Sequence, residues 1–158
     1  MGLFSFFKKK KNKKEEELNK KYLASSDKRY DENDIFGMVE LYNLFKCYEG
    51  YEKEIDLSNR DLVYDKVNSL ISELVDMNIL CKNYEEFDPI CNNFREIPLN
   101  MVDGLDILEC LVLLTAIQRS DFWAGMGSNV YFGYTKNGLI PQVIYRIISL
   151  YESRVSNE

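Results

Sequence analysis

Leu105-Asp106-Ile107-Leu108-Glu109-Cys110-Leu111-Val112-Leu113-Leu114-Thr115-Ala116-Ile117-Gln118-Arg119 is the stretch that decides the fold. Apolar residues cover nearly every side of a helix drawn through it, with Asp106 and Glu109 in the first turns. A helix apolar all round belongs in the middle of a protein, with other helices packed about it. It is too short to cross a bilayer, which needs about 18–20 apolar residues.

Amphipathic partners flank it on both sides. Downstream, Ile140, Val143, Ile144, Ile147, Ile148 and Tyr151 recur at helical spacing. This pattern predicts a last helix from about Leu139 to Ser153, after the turn Lys136-Asn137-Gly138, with Pro141 tolerable in its first turn. Gly125, Gly127 and Gly133 predict a glycine-rich connection before it. Upstream, Val63, Val67, Leu70, Leu74 and Met77 form the strongest stripe, with Leu62, Ile71 and Val75 beside it. Ser58-Asn59-Arg60-Asp61 has the outline of a capping box opening that helix, which is expected to end near Leu80. A further helix is expected over about Asp34–Tyr48. Asp34 is its N-cap, Ile35, Met38, Val39, Tyr42 and Phe45 its stripe, and Gly50 its stop. Residues 51–57 read as a connection. In the irregular segment 82–104, Pro89 and Pro98 limit any helix, leaving room for a short one over Cys91–Glu96.

The expected fold is therefore all-α: a compact bundle of four main helices plus one or two short ones, with a flexible basic N-terminal tail. The expected organisation is a tail over 1–14, a short helix and polar linker over 15–33, and one helical domain over 34–154.

Charge is divided unevenly along the chain. The 158 residues carry 20 Lys and Arg against 26 Asp and Glu, a net −6. Residues 1–14 hold six lysines and no acid, which leaves −12 for the remainder. An acidic body repels phosphate backbones and suits a basic partner, so nucleic acid is not the expected ligand. Lys8, Lys9, Lys10 and Lys11 follow an apolar tip containing Leu3, Phe4, Phe6 and Phe7. That order is the reverse of a secretory signal. It suits a peripheral membrane contact, each lysine holding anionic lipid by about 1 kcal/mol near the surface. The expected location is cytoplasmic, with an optional peripheral contact at the inner face of the membrane.

The absence of histidine removes His bases, Ser-His-Asp triads and His metal ligands. Cys47, Cys81, Cys91 and Cys110 lack the close spacing of a zinc knuckle or redox motif, so no metal site is expected. Cys47 and Cys110 fall in apolar helical patterns, where a thiol acts as a small core hydrophobe. Gly133-Tyr134-Thr135-Lys136 is not a P-loop, and Gly125-x-Gly127 has no third glycine of a dinucleotide fingerprint. The sequence thus implies no cofactor and presents no catalytic constellation. The densest polar spot beside the core is Arg119-Ser120-Asp121-Phe122-Trp123. In a ligand-binding reading Arg119 grips an anion, Asp121 orients it, and Trp123 and Tyr131 form an aromatic wall, with Arg146 as a second cation. In an architectural reading Arg119 caps helix carbonyls and Trp123 plugs the core.

Leu113-Leu114-Thr115-Ala116-Ile117-Gln118-Arg119-Ser120-Asp121, then Gly138-Leu139-Ile140 and Arg146-Ile147, resemble a small bacterial family of helical domains of unknown function. Its pattern is L-x-x-x-x-R-x-[DE], an aromatic residue and a glycine, then a glycine opening a final helix with arginine eight residues on. The likeness is clearest over 105–151. It departs after the aromatic residue, where Met126 stands at the family's usual glycine. The resemblance implies a helical fold and supplies no catalytic residue. The functional expectation is a non-enzymatic interaction module, of regulatory or immunity-like type, for an unidentified and basic protein partner. The alternative is a small-molecule binder or enzyme around Arg119, Asp121 and Trp123.

Overall fold

The computed structural model describes residues 32–80, 94–125 and 127–157. Every regular element among them is helical. In chain order these are α1 (Glu32–Phe36), α2 (Val39–Tyr48), α3 (Tyr51–Glu54), α4 (Arg60–Asp76), a 3₁₀ turn (Phe94–Glu96), α5 (Leu99–Val102), α6 (Ile107–Ala124), α7 (Val130–Lys136) and α8 (Leu139–Val155). The expected all-α class holds, with α2, α4, α6 and α8 as its long helices. The expectations for the N-terminal tail and for the short helix and linker over 15–33 fall almost entirely outside the described residues, as does the Cys91–Asn93 part of the short helix expected over Cys91–Glu96, of which Phe94–Glu96 is the 3₁₀ turn.

Helix α6 is buried along most of its length, from Ile107 through Ile117. Helix α8 packs against α2, α5, α6 and α7, while α7 lies against α4, α6 and α8. The core joins Leu41 and Phe45 of α2, Leu70 and Leu74 of α4, Leu111 and Leu113 of α6, and Ile140, Ile144 and Ile147 of α8. Each such side chain stabilises the fold by about 1.5–3 kcal/mol on leaving water. Among the described residues no helix is long and apolar enough to cross a membrane.

Helix boundaries differ from the sequence expectation for identifiable reasons. The helix expected over 34–48 is two: Gly37 N–H closes the first on Asn33, and Met38 N–H turns back to Ile35. Asp34 lies inside α1 rather than capping it, and Val39 points to solvent. The N-cap of α4 is Asn59, not Ser58; its Oδ1 accepts from Asp61 and Leu62 N–H, while Ser58 bonds Asp56. Helix α4 stops at Asp76 because Asn78 is left-handed, at φ 56°. Ile79 N–H then reaches Leu74 carbonyl and Asn78 N–H reaches Val75 carbonyl, a Schellman closure with Ile79 buried behind it. Leu62 and Val75 are exposed, so they leave the expected stripe. Cys47 is also exposed, whereas Cys110 is buried as expected.

Segments expected as connections contain helical turns. Tyr51 of α3 is fully buried, and its hydroxyl meets Thr135 Oγ1 of α7 at 2.7 Å. Gly133 lies inside α7, and the glycine-rich connection shrinks to 125–129. At the other end of the core, the Tyr151 hydroxyl donates to Ile35 carbonyl at 2.6 Å and holds α1 on α8.

Candidate functional site

Helix α6 does not end at Arg119. It continues to Ala124 and closes at Gly125, which has φ 80° and donates to Phe122 carbonyl. Its start is well defined: Asp106 and Glu109 form a reciprocal capping box at 2.8 Å in both directions. The five extra residues reorganise the polar segment. A helix turns about 100° per residue, so Arg119, Asp121 and Trp123 cannot share a face. Gln118, Asp121, Phe122 and Gly125 do share one, at i, i+3, i+4 and i+7.

That face lines an open cleft of about 460 Å³. Opposite it stand Tyr64, Asn68, Ile71, Ser72, Val75 and Asp76 of α4, again at helical spacing. Tyr131, at the start of α7, completes the described lining. Tyr64 and Tyr131 stack with ring centroids 5.4 Å apart. The wall is thus partly aromatic and aliphatic, with amide, hydroxyl and carboxyl groups set into it.

Asp121 is the unusual member. It is only 8% exposed, and its Oδ1 is buried with no hydrogen-bond partner. Burial raises its carboxyl pKa above the ordinary value, the Ser128 hydroxyl pulling the other way. Its charge in turn reinforces the upward shifts that burial imposes on Tyr64 and Tyr131. An unpaired buried acceptor costs roughly 1–3 kcal/mol, and more when charged. The arrangement can accept a hydrogen bond from a cation or a neutral donor entering the cleft. No arginine or lysine is among the described lining residues. Arg60 is turned toward Asp61 and the Gly127 carbonyl, and Arg95 reaches the Ser120 hydroxyl.

Of the five residues singled out by sequence, the structure brings Asp121 and Tyr131 to one cleft. Arg119 is half-buried on another side of α6. Arg146 donates through Nε to Leu105 carbonyl at 2.8 Å, pinning the entry to α6 against α8. Trp123 is 77% exposed, so it neither plugs the core nor walls the cleft. It packs edge-on to Phe122 with centroids 5.7 Å apart. Sequence reasoning missed Tyr64, Asn68, Ser72, Asp76, Gln118 and Phe122. For Gln118 and Phe122 the signal was the i, i+3, i+4, i+7 spacing through Gly125, visible only once α6 runs past Arg119, whereas Tyr64, Asn68, Ser72 and Asp76 follow each other at four-residue steps along α4.

Among the described residues no group of three or more His, Cys, Asp or Glu is placed to hold a metal ion. Comparison of the chain with protein-family models, curated proteins and solved structures gave no match, so the resemblance over 105–151 supplies no functional role.

Proposed function

We propose that this protein is a non-enzymatic interaction module whose acidic body binds a basic protein partner, in the manner of a regulatory or immunity-like protein of the cytoplasm. One observation carries the reading. Phe122, 63% exposed, lines a cleft containing Asp121 and Asp76, and Trp123, 77% exposed, packs edge-on against it outside the lining. Exposed aromatic anchors beside complementary charge are what protein interfaces are built around. The −12 carried by residues 15–158 would steer a basic partner toward this body. The lysine-rich start, with Phe4, Phe6 and Phe7, adds an optional hold on an anionic membrane surface.

The test is capture from native lysate by the full-length chain, read by mass spectrometry at two salt concentrations. A stoichiometric partner is expected that weakens at high salt and is lost with Trp123→Ala. Trp123 is so exposed that this substitution leaves stability within about 0.5 kcal/mol. Retention of the same proteins by Trp123→Ala, independent of salt, overturns the reading. A second reading, a binder of small cationic molecules, draws on the cleft volume of about 460 Å³. That volume falls in the range of small-ligand sites.

A further inference from the structure

We propose that the cleft between α4 and α6 receives the cationic end of a lysine or arginine side chain presented by the protein partner. The inference rests on the interaction-module reading and names the chemistry that its cleft recognises.

Three features converge there. Asp121 lines the cleft, and its Oδ1 is buried with no hydrogen-bond partner, so one strong acceptor is already desolvated. The second feature is charge. Asp76 of α4 lines the same cleft as Asp121 of α6, and no arginine or lysine is among the described lining residues to offset them.

The third feature is shape. Tyr64, Ile71, Val75, Phe122 and Tyr131 give the opening an apolar wall. A long basic side chain has the matching pattern, with an apolar stem and a charged tip. The stem would lie along the aromatic and aliphatic wall while the tip meets Asp121. A partner backbone outside the cleft would then rest against the exposed Phe122, which Trp123 backs edge-on. A free inorganic cation would leave that wall unused, and an anion would be repelled.

The test is a ¹⁵N chemical-shift titration of the full-length chain with capped tripeptides. The probes are acetyl-Leu-Lys-Leu-amide, its arginine counterpart and its uncharged norleucine counterpart, with n-butylammonium chloride as a free amine. Saturable shifts are expected over Ser72–Asp76 and Gln118–Gly125 with the lysine or arginine peptide. The norleucine peptide is expected to bind at least tenfold more weakly. Asp121→Asn is expected to remove that difference, and Asp76→Asn, at an exposed position, to reduce it several-fold without disturbing the fold. Equal binding of the norleucine peptide overturns the cation inference while leaving an apolar interaction surface. Equal binding of n-butylammonium and the lysine peptide overturns the protein-partner assignment and makes the cleft a small-amine site. No shift with any probe overturns the site, whereas the interaction-module reading is then decided by the Trp123→Ala capture.

Discussion

Tyr51 and Thr135 provide the sharpest test of how α7 is held in place. Their hydroxyls are 2.7 Å apart, both side chains are almost fully buried, and 84 residues separate them in sequence. Thr135 lies one helical turn beyond Tyr131, so this bond helps fix the helix that supplies the cleft's aromatic wall. Tyr51→Phe leaves the Thr135 hydroxyl without its partner. Thr135→Val leaves the Tyr51 hydroxyl in the same condition. An orphaned buried hydroxyl costs roughly 1–3 kcal/mol, while replacing both partners by apolar groups of like shape is nearly neutral. Each single variant should therefore lose about 1–3 kcal/mol, and the double variant no more than the worse single. In a chain of this size each kcal/mol is about 2–4 °C of melting temperature. Urea unfolding of the four proteins, analysed as a double-mutant cycle, measures the coupling. A coupling near 1–2 kcal/mol is expected. Losses that simply add would refute the claim that the bond contributes as a pair.

The other predictions concern single positions. Asp106→Ala removes the cap of α6 and should cost about 1 kcal/mol, read as a lower urea midpoint with unchanged slope. Gly138 has φ 89°, and a Cβ there would lie 3.4 Å from Leu99 Cδ1. Gly138→Ala should accordingly cost about 1–2 kcal/mol, measured in the same way. Asp121 has a raised carboxyl pKa, so its contribution is full below the ordinary carboxylate range and is lost as pH rises through the raised value. The Asp121→Asn chain should therefore gain thermal stability relative to the parent as pH climbs through that window, a trend visible in melts from pH 3 to 7.

The four long helices were legible because their stripes are regular and their lengths exceed what a connection would need. Their ends were less so, since ends depend on one or two residues rather than on a period. Asn78 stops α4 by going left-handed, which Asn tolerates but does not announce. Gly125 stops α6, although the polar residues from Gln118 to Asp121 resemble a helix end. The short helices α3 and α7 carry too few apolar positions for periodicity to register. Their buried contacts come from single residues, Tyr51 and Tyr131. The same uncertainty at one boundary scattered the candidate site. With α6 ended at Arg119, residues 119–123 form a loop and can be gathered around a ligand. With α6 continued to Ala124, helical geometry assigns them to different sides.

The helix ends also separate architecture from function. Of the five helices with seven or more residues, α2, α7 and α8 have a base in the last turn: Lys46, Lys136 and Arg154. Those three follow the electrostatic preference of a helix C-terminus. Helices α4 and α6 lack it. For α6 a cation comes from a neighbour instead: Arg60, the first residue of α4, donates to the Gly127 carbonyl just past its end. The rule left broken is at Asp121, a desolvated carboxyl oxygen with no partner on the cleft wall. A buried polar group left unsatisfied is the expected mark of a site whose complement comes from outside the chain. Stability and binding should then respond in opposite directions to Asp121→Asn. The free protein gains because a buried unpaired charge is gone, and the charged peptide loses its acceptor. A purely architectural Asp121 would move stability alone, leaving peptide affinity unchanged.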